Sequence, residues 1–243
     1  MGIDSKEDRF NRVLGLRHLT ASGVGVIIGA GIYVLLGPAT QAAGGLVWVS
    51  FLVAGLLSAL TAFSYMELAS MFPSAGSEHE FARQVFPRWV SFTTGWAMML
   101  ALIVAASTVS LGFARYLQLF VDIDVRLGAL FLLLLVSFIA ISGMKRASWL
   151  IIALSSIQVG GLILVIVLGA DHVGDVNLLQ GKGVSGVLAG SALIFFAFIG
   201  FDEVITLSEE TIDARRTVPR ALFIALALST ILYVLVSIVS VSV

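Results

Sequence analysis

The 243-residue chain has no cysteine and little charge. Without cysteine there are no disulfides and no thiolate metal sites, although nothing follows about redox compartment. Asp, Glu, Lys and Arg supply 12% of the residues, about half the share of a soluble domain, whereas 59% are hydrophobic. The net charge of −1 offers no basic field for nucleic acid. Only three histidines are present, His18, His79 and His172; they lie in or beside loops without metal-ligand spacing and read as ordinary surface residues. No cofactor is expected. Neither a low-complexity run nor a soluble domain boundary is visible. The first apolar run is too long for a signal-peptide core, and the leader before it carries both signs of charge.

Long apolar runs fill the space that charge leaves. Seven stretches, roughly 19–37, 45–71, 90–120, 127–143, 148–169, 184–206 and 220–242, have the length to cross a hydrocarbon core of about 30 Å. The composition therefore predicts an all-α integral membrane protein. The fourth stretch is the tightest, because Asp124 and Arg126 before it and Lys145 and Arg146 after it leave little apolar length. With the N-terminus in the cytoplasm, eleven basic residues fall inside and only Arg126 and Lys182 in outer loops, a strong bias for that orientation. Arg115 remains in the outer part of the third stretch, placed to snorkel or to face a cavity. Seven spans then leave Val243 outside, at an abrupt end that looks like a truncation.

Two interruptions stand out within those runs. Gly23-Val-Gly-Val-Ile-Ile-Gly-Ala-Gly-Ile-Tyr33 sets four glycines at membrane depth, and Phe195-Phe-Ala-Phe-Ile-Gly-Phe-Asp-Glu203 forms a second candidate break about 170 residues later. Each glycine costs a helix about 1 kcal/mol relative to alanine, and an unsatisfied backbone group in lipid costs several more. Paired interrupted helices are the sequence-level pointer to a transporter binding site. Gly25-xxx-Gly29 is equally a small-residue packing face. The spacing is wrong for a dinucleotide fingerprint, and no βαβ unit follows. The aromatic cluster at 195–201 reads by itself as bundle packing.

The loops add detail. Pro73 to Arg88 begins with turn formers and places Phe81, Val85 and Phe86 on one side, which predicts a short amphipathic helix at the cytoplasmic mouth. Glu209 to Arg220 is similarly polar, with Pro219 set to open the seventh helix. Asp202 and Glu203 lie in the inner half of the sixth segment, where ionisable groups are gating or coupling candidates. Being adjacent, they point about 100° apart and do not form a dyad. Glu67 reads as a gate or packing contact to Arg83 or Arg216. No Ser/His/Asp, histidine or carboxylate cluster supports a membrane enzyme.

The run GVIIGAGIYVLLG at 25–37, Ser64-Tyr-Met-Glu-Leu-Ala-Ser-Met-Phe-Pro-Ser-Ala-Gly-Ser77, Gly95-Trp96, FFAFIGFDE at 195–203, Glu209-Glu210 and Pro219 together resemble the amino acid–polyamine–organocation (APC) permeases. The similarity is greatest to their cationic-amino-acid-transporter-like prokaryotic branch. It extends over essentially the whole chain, in the family's order. The resemblance implies a LeuT-type inverted-repeat fold, incomplete here, with helices 1 and 6 discontinuous. Residues 1–18 would be a cytoplasmic segment, 19–169 the first five-helix repeat, 170–183 an outer loop and 184–243 the start of the second repeat. It further implies secondary transport of an amino acid across the cell membrane. Substrate would be bound by Ile28, Gly29, Ala30 and Gly31 through amides, and by Phe196, Ala197, Ile199 and Gly200 through carbonyls.

Two departures bear on coupling and substrate. Gln158 stands where some proton-coupled members carry a lysine, and glutamine supplies no charge, so coupling to H+ or Na+ stays open. Ala101 stands where many cationic-amino-acid carriers have an acidic residue, which does not support lysine or arginine as substrate. The rival expectation is a nonfunctional or partner-dependent fragment that would draw its missing C-terminal helices from another chain. A seven-helix receptor matches the helix number alone, and a retinal protein would need a lysine that 220–242 lacks.

Overall fold

The computed structural model describes residues 14–72, 77–141 and 144–243. Among these the α-helices, in chain order, are α1 (Leu16–Ile27), α2 (Gly31–Ala43), α3 (Val47–Met71), α4 (Ser77–Val85), α5 (Arg88–Leu117), α6 (Val125–Ile141), α7 (Met144–Gly169), α8 (Gly183–Phe198), α9 (Glu203–Thr206) and α10 (Ala214–Ser242). Five stretches are long and apolar enough to cross a membrane: Val47–Met71, Arg88–Leu117, Ala153–His172, Gly183–Thr206 and Ala214–Ser242. The pair α1 and α2, bent by 47° at its break, makes a sixth.

The expected seven spans are these six and the shorter apolar helix α6. The fourth stretch forms α6, whose 17 described residues rise about 26 Å, the tightest fit to a core of about 30 Å. Charge at its start limits it, as the sequence suggests. The amphipathic helix expected between 73 and 88 is α4, and residues 73–76 of that stretch lie outside the described residues. Pro219 does not open the seventh helix. That helix, α10, begins at Ala214, so Pro219 sits inside it and removes the amide that would bond to residue 215.

Loop pairing fixes which helix ends share a side. The amide of Leu14 donates to Glu210 O at 3.0 Å and that of Ile212 to Leu14 O at 2.9 Å, tying the start of α1 to the loop before α10. At the other side Gly45 N donates to Gln180 O (3.0 Å) and Lys182 N to Ala43 O (3.2 Å). Gly181 is needed there, because a side chain would put its first carbon 2.4 Å from the Ala43 carbonyl. The bent pair α1–α2 therefore crosses once, as a single interrupted span.

Helices α1, α2, α3, α8 and α10 form the packed centre. Lipid is as apolar as leucine, so close approach of small residues rather than burial of oil holds such helices together. At Gly190 an added Cβ would lie 2.7 Å from Ser50 Oγ, and Ser50 Oγ itself donates to Val187 O at 3.0 Å. Ser191 Oγ donates to Val187 O at 2.8 Å and Ser50 O at 3.2 Å. A hydroxyl bridge and a missing side chain thus bring α3 and α8 together at the same level.

Candidate substrate site at two helix breaks

The first break falls at Ile28–Ala30. Ile28 N still reaches Val24 O (2.9 Å) and Gly29 N reaches Val26 O (3.2 Å), a tightening last turn, and α2 begins at Gly31. The amides of Ala30, Gly31 and Ile32 find no acceptor among the described residues. They are the open donors that any helix N-terminus leaves, and they coincide with the positive end of the α2 dipole.

The second break lies at 199–202, two to three residues beyond the sequence expectation of 196–200. Helix α8 stops at Phe198, and Gly200 takes φ +120°, a backbone state open to glycine. The carbonyls of Phe198 and Ile199 accept no hydrogen bond among the described residues. Asp202 turns back, its Oδ1 accepting the Gly200 amide at 3.1 Å, so this carboxylate caps the break. Glu203 starts the short helix α9 and is exposed.

The two breaks abut. A Cβ at Gly31 would lie 2.8 Å from Ala197 Cα, and one at Gly200 3.1 Å from Val26 Cγ1. Because residue 31 meets 197 while residues 43 and 186 meet at the other end, α2 and α8 run antiparallel. Helices one and six are thus discontinuous, adjacent and opposed. The four first-break residues and the second-break residues Ala197, Ile199 and Gly200 share one locality; Ala197 and Gly200 are buried, Phe196 is half-buried and Ile199 is exposed.

Gly25 and Gly29, one motif in the sequence, separate in space. A Cβ at Gly25 would strike Ser155 Oγ at 2.9 Å, so Gly25 serves packing against α7. Gly29 belongs to the break.

Sequence reasoning missed the residue that joins the breaks. Tyr233, on α10 and fully buried, directs its hydroxyl to Ile27 O at 2.7 Å and to Ala197 O at 3.1 Å. Those carbonyls end α1 and lie in the last turn of α8, so one O–H quiets the negative ends of two half-helices. The ring packs edge-on against Phe198 (5.1 Å) and Phe51 (5.8 Å). The other three tyrosines lie nearby. Tyr33 donates to Gln158 O at 2.5 Å, Tyr116 donates to Tyr33 O, and Tyr65 donates to Glu78 Oε1 at 2.8 Å. A signal was available, since a buried phenol needs a partner for its polar tip.

Tyr65 also meets Phe201 edge-to-face at 5.4 Å and 89°, and Phe81 of α4 edge-to-face at 6.4 Å. Tyr65 of α3 thus links the amphipathic helix to the second break. The remaining site candidates stand apart. Gln158 is half-buried and takes part through its backbone carbonyl. Glu67 is exposed and makes no ion pair among the described residues; Arg83 instead pairs with Glu80 at 3.2 Å, one turn away on the same helix. His79 is exposed, as expected, with Nδ1 2.9 Å from Ser91 O.

A family profile described as "Amino acid permease" matches residues 14–243. Among curated relatives, the chain is 36% identical to "Cationic amino acid transporter 3, mitochondrial" of Arabidopsis thaliana, over 94% of this chain and 42% of that protein. It is 31% identical to the "Methylthioribose transporter" of Bacillus subtilis (98% and 57%) and 32% identical to "Branched-chain amino acid permease BcaP" of the same organism (96% and 55%). The chain thus spans about half the length of the relatives it matches. With a profile covering nearly every residue, and with the abutting breaks expected of such a protein, the chain belongs to the amino acid permease family.

Proposed function

We propose that the protein is a secondary transporter that binds an amino acid by its backbone groups where the two breaks meet and moves it by alternating access. The observation that carries this reading is the pairing of open amides at Ala30–Ile32 with open carbonyls at Phe198 and Ile199. A zwitterion needs a donor nest for its carboxylate and acceptors for its ammonium. Fixed charges at this depth would be costly, and helix ends supply partial ones. In this reading residues 19–169 and 184–243 belong to the two repeats, and the α1 end bearing Arg17 faces the cytoplasm, as the basic-residue bias supports. Its relatives' names include cationic and branched-chain carriers; Ala101 offers no carboxylate for a cationic side chain, which favours an uncharged one.

Uptake of radiolabelled neutral and cationic L-amino acids into proteoliposomes tests this. A saturable, stereoselective signal is expected, strongest for uncharged substrates. Amidating the substrate's carboxylate removes a charge-assisted hydrogen-bonded group and is expected to weaken competition about tenfold or more. Equal competition by acid and amide would remove the amide nest from the account.

A further inference from the structure

Away from the breaks, an open groove of about 780 Å³ runs between α1, α7 and α10. Its α1 wall begins at Leu16 and Arg17 and ends at Gly25, short of the first break, and its α7 wall runs from Ser155 to Ile163. Eight residues of helix separate Arg17 from Gly25, a rise of about 12 Å, close to the depth of one leaflet in a 30 Å core. Ala21 and Gly160 keep the slot open, and a Cβ at Gly160 would meet nothing within 4 Å. Val159, Ile163 and Leu228 give it an apolar lining.

Among the described residues that line it, the one charged group is at the mouth, while Ser155 and Ser156 line the groove further along α7. Arg17 is exposed and has no ion pair among the described residues. One turn further in, Thr20 Oγ1 is buried without a hydrogen-bond partner. A second, smaller groove of about 390 Å³ repeats the pattern on the other side of Ile224, with Phe63, Met66 and Phe223 along it and Arg220 at its mouth. A slot one leaflet deep with a guanidinium at its end matches one class of bilayer component: an acyl chain joined to a phosphate.

We propose that the α1–α7–α10 groove binds one acyl chain of an anionic phospholipid, with the phosphate held at Arg17. The lipid would fasten the first half-helix to α7 without touching the substrate break. A zwitterionic lipid lacks the net charge that an arginine near the surface rewards by about fivefold in occupancy.

Native mass spectrometry of the full-length protein, released from micelles containing equal amounts of phosphatidylglycerol and phosphatidylcholine, tests the site. The wild type is expected to retain phosphatidylglycerol preferentially. Arg17→Gln should lower that preference about fivefold, while Arg126→Gln, outside the groove, leaves it unchanged. Gly160→Leu should fill the slot and reduce retention of both lipids; it replaces a poor helix former by a good one, so loss of folding is not the cause. Monodispersity and circular dichroism check the fold of each variant. Equal retention of the two lipids by the wild type, the same effect from Arg126→Gln as from Arg17→Gln, or unchanged occupancy in Gly160→Leu would each overturn the proposal.

Discussion

Half of the apolar window of α8 and 44% of that of α10 are buried within the chain, against 17% for α5 and 11% for Ala153–His172 of α7. All four helices are apolar, so hydrophobicity does not set this difference. In the centre, small residues let backbones approach, and the serine and tyrosine hydroxyls cross-link them: Ser50 to Val187, Tyr233 to Ile27 and Ala197. The α5–α7 arm displays Leu102, Ile103, Leu134, Phe138 and Leu164 outward. The described hydrogen bonds from Tyr116 to Tyr33 and from Tyr33 to Gln158 tie it to α2. In a membrane, apolar surface is free to face outward, whereas a broken backbone must find partners. The centre is dense because the breaks are there.

Substitutions of decreasing severity sharpen that contrast. Gly31→Leu pushes a side chain against Ala197 Cα, 2.8 Å from its first carbon. Backbone cannot yield as a flexible side chain does, so loss of several kcal/mol and of all transport is expected, read by thermal unfolding and uptake. Tyr233→Phe leaves the Ile27 and Ala197 carbonyls without their buried donor, at a cost of about 1–3 kcal/mol and with a marked fall in uptake. Retention of full uptake would show that the bridge does not shape the site.

Smaller effects belong to the arm. Tyr116→Phe removes a hydrogen bond from an exposed residue and should cost about 0.5–1.5 kcal/mol, with uptake largely kept. Leu134→Ala lies on an exposed face of α6 and is expected to change stability by less than about 0.5 kcal/mol. A large loss from Leu134→Ala, comparable to that of Tyr233→Phe, would erase the distinction between centre and arm.

Much of this was legible in the sequence for physical reasons. Glycine at membrane depth has few uses, so the run from Gly23 to Gly31 exposed the first break, and Gly200 exposed the second to within a few residues. Charge on both sides of the fourth stretch marked it as the tightest span, and α6 is the shortest. Pro219 misled because proline is tolerated early in a helix as well as at its first position, and only the structure shows Ala214 leading. The expected partner of Glu67 failed for another reason: Glu80, one turn from Arg83, wins by proximity on its own helix. Tyr233 was hidden because its importance lies in reaching two carbonyls distant in sequence, a property of packing rather than of any local pattern.

The central claim is that the two breaks abut at Gly31 and Ala197, where a Cβ on Gly31 would lie 2.8 Å from Ala197 Cα. That space admits no added side chain, so the most direct test leaves both residues as they are. Solid-state NMR of the uniformly 13C-labelled protein in lipid bilayers correlates carbons that lie in close contact whatever their separation in sequence. The account predicts a through-space cross-peak between Gly31 Cα and Ala197 Cα. Its absence, with the sequential signals of both residues assigned, would contradict the account.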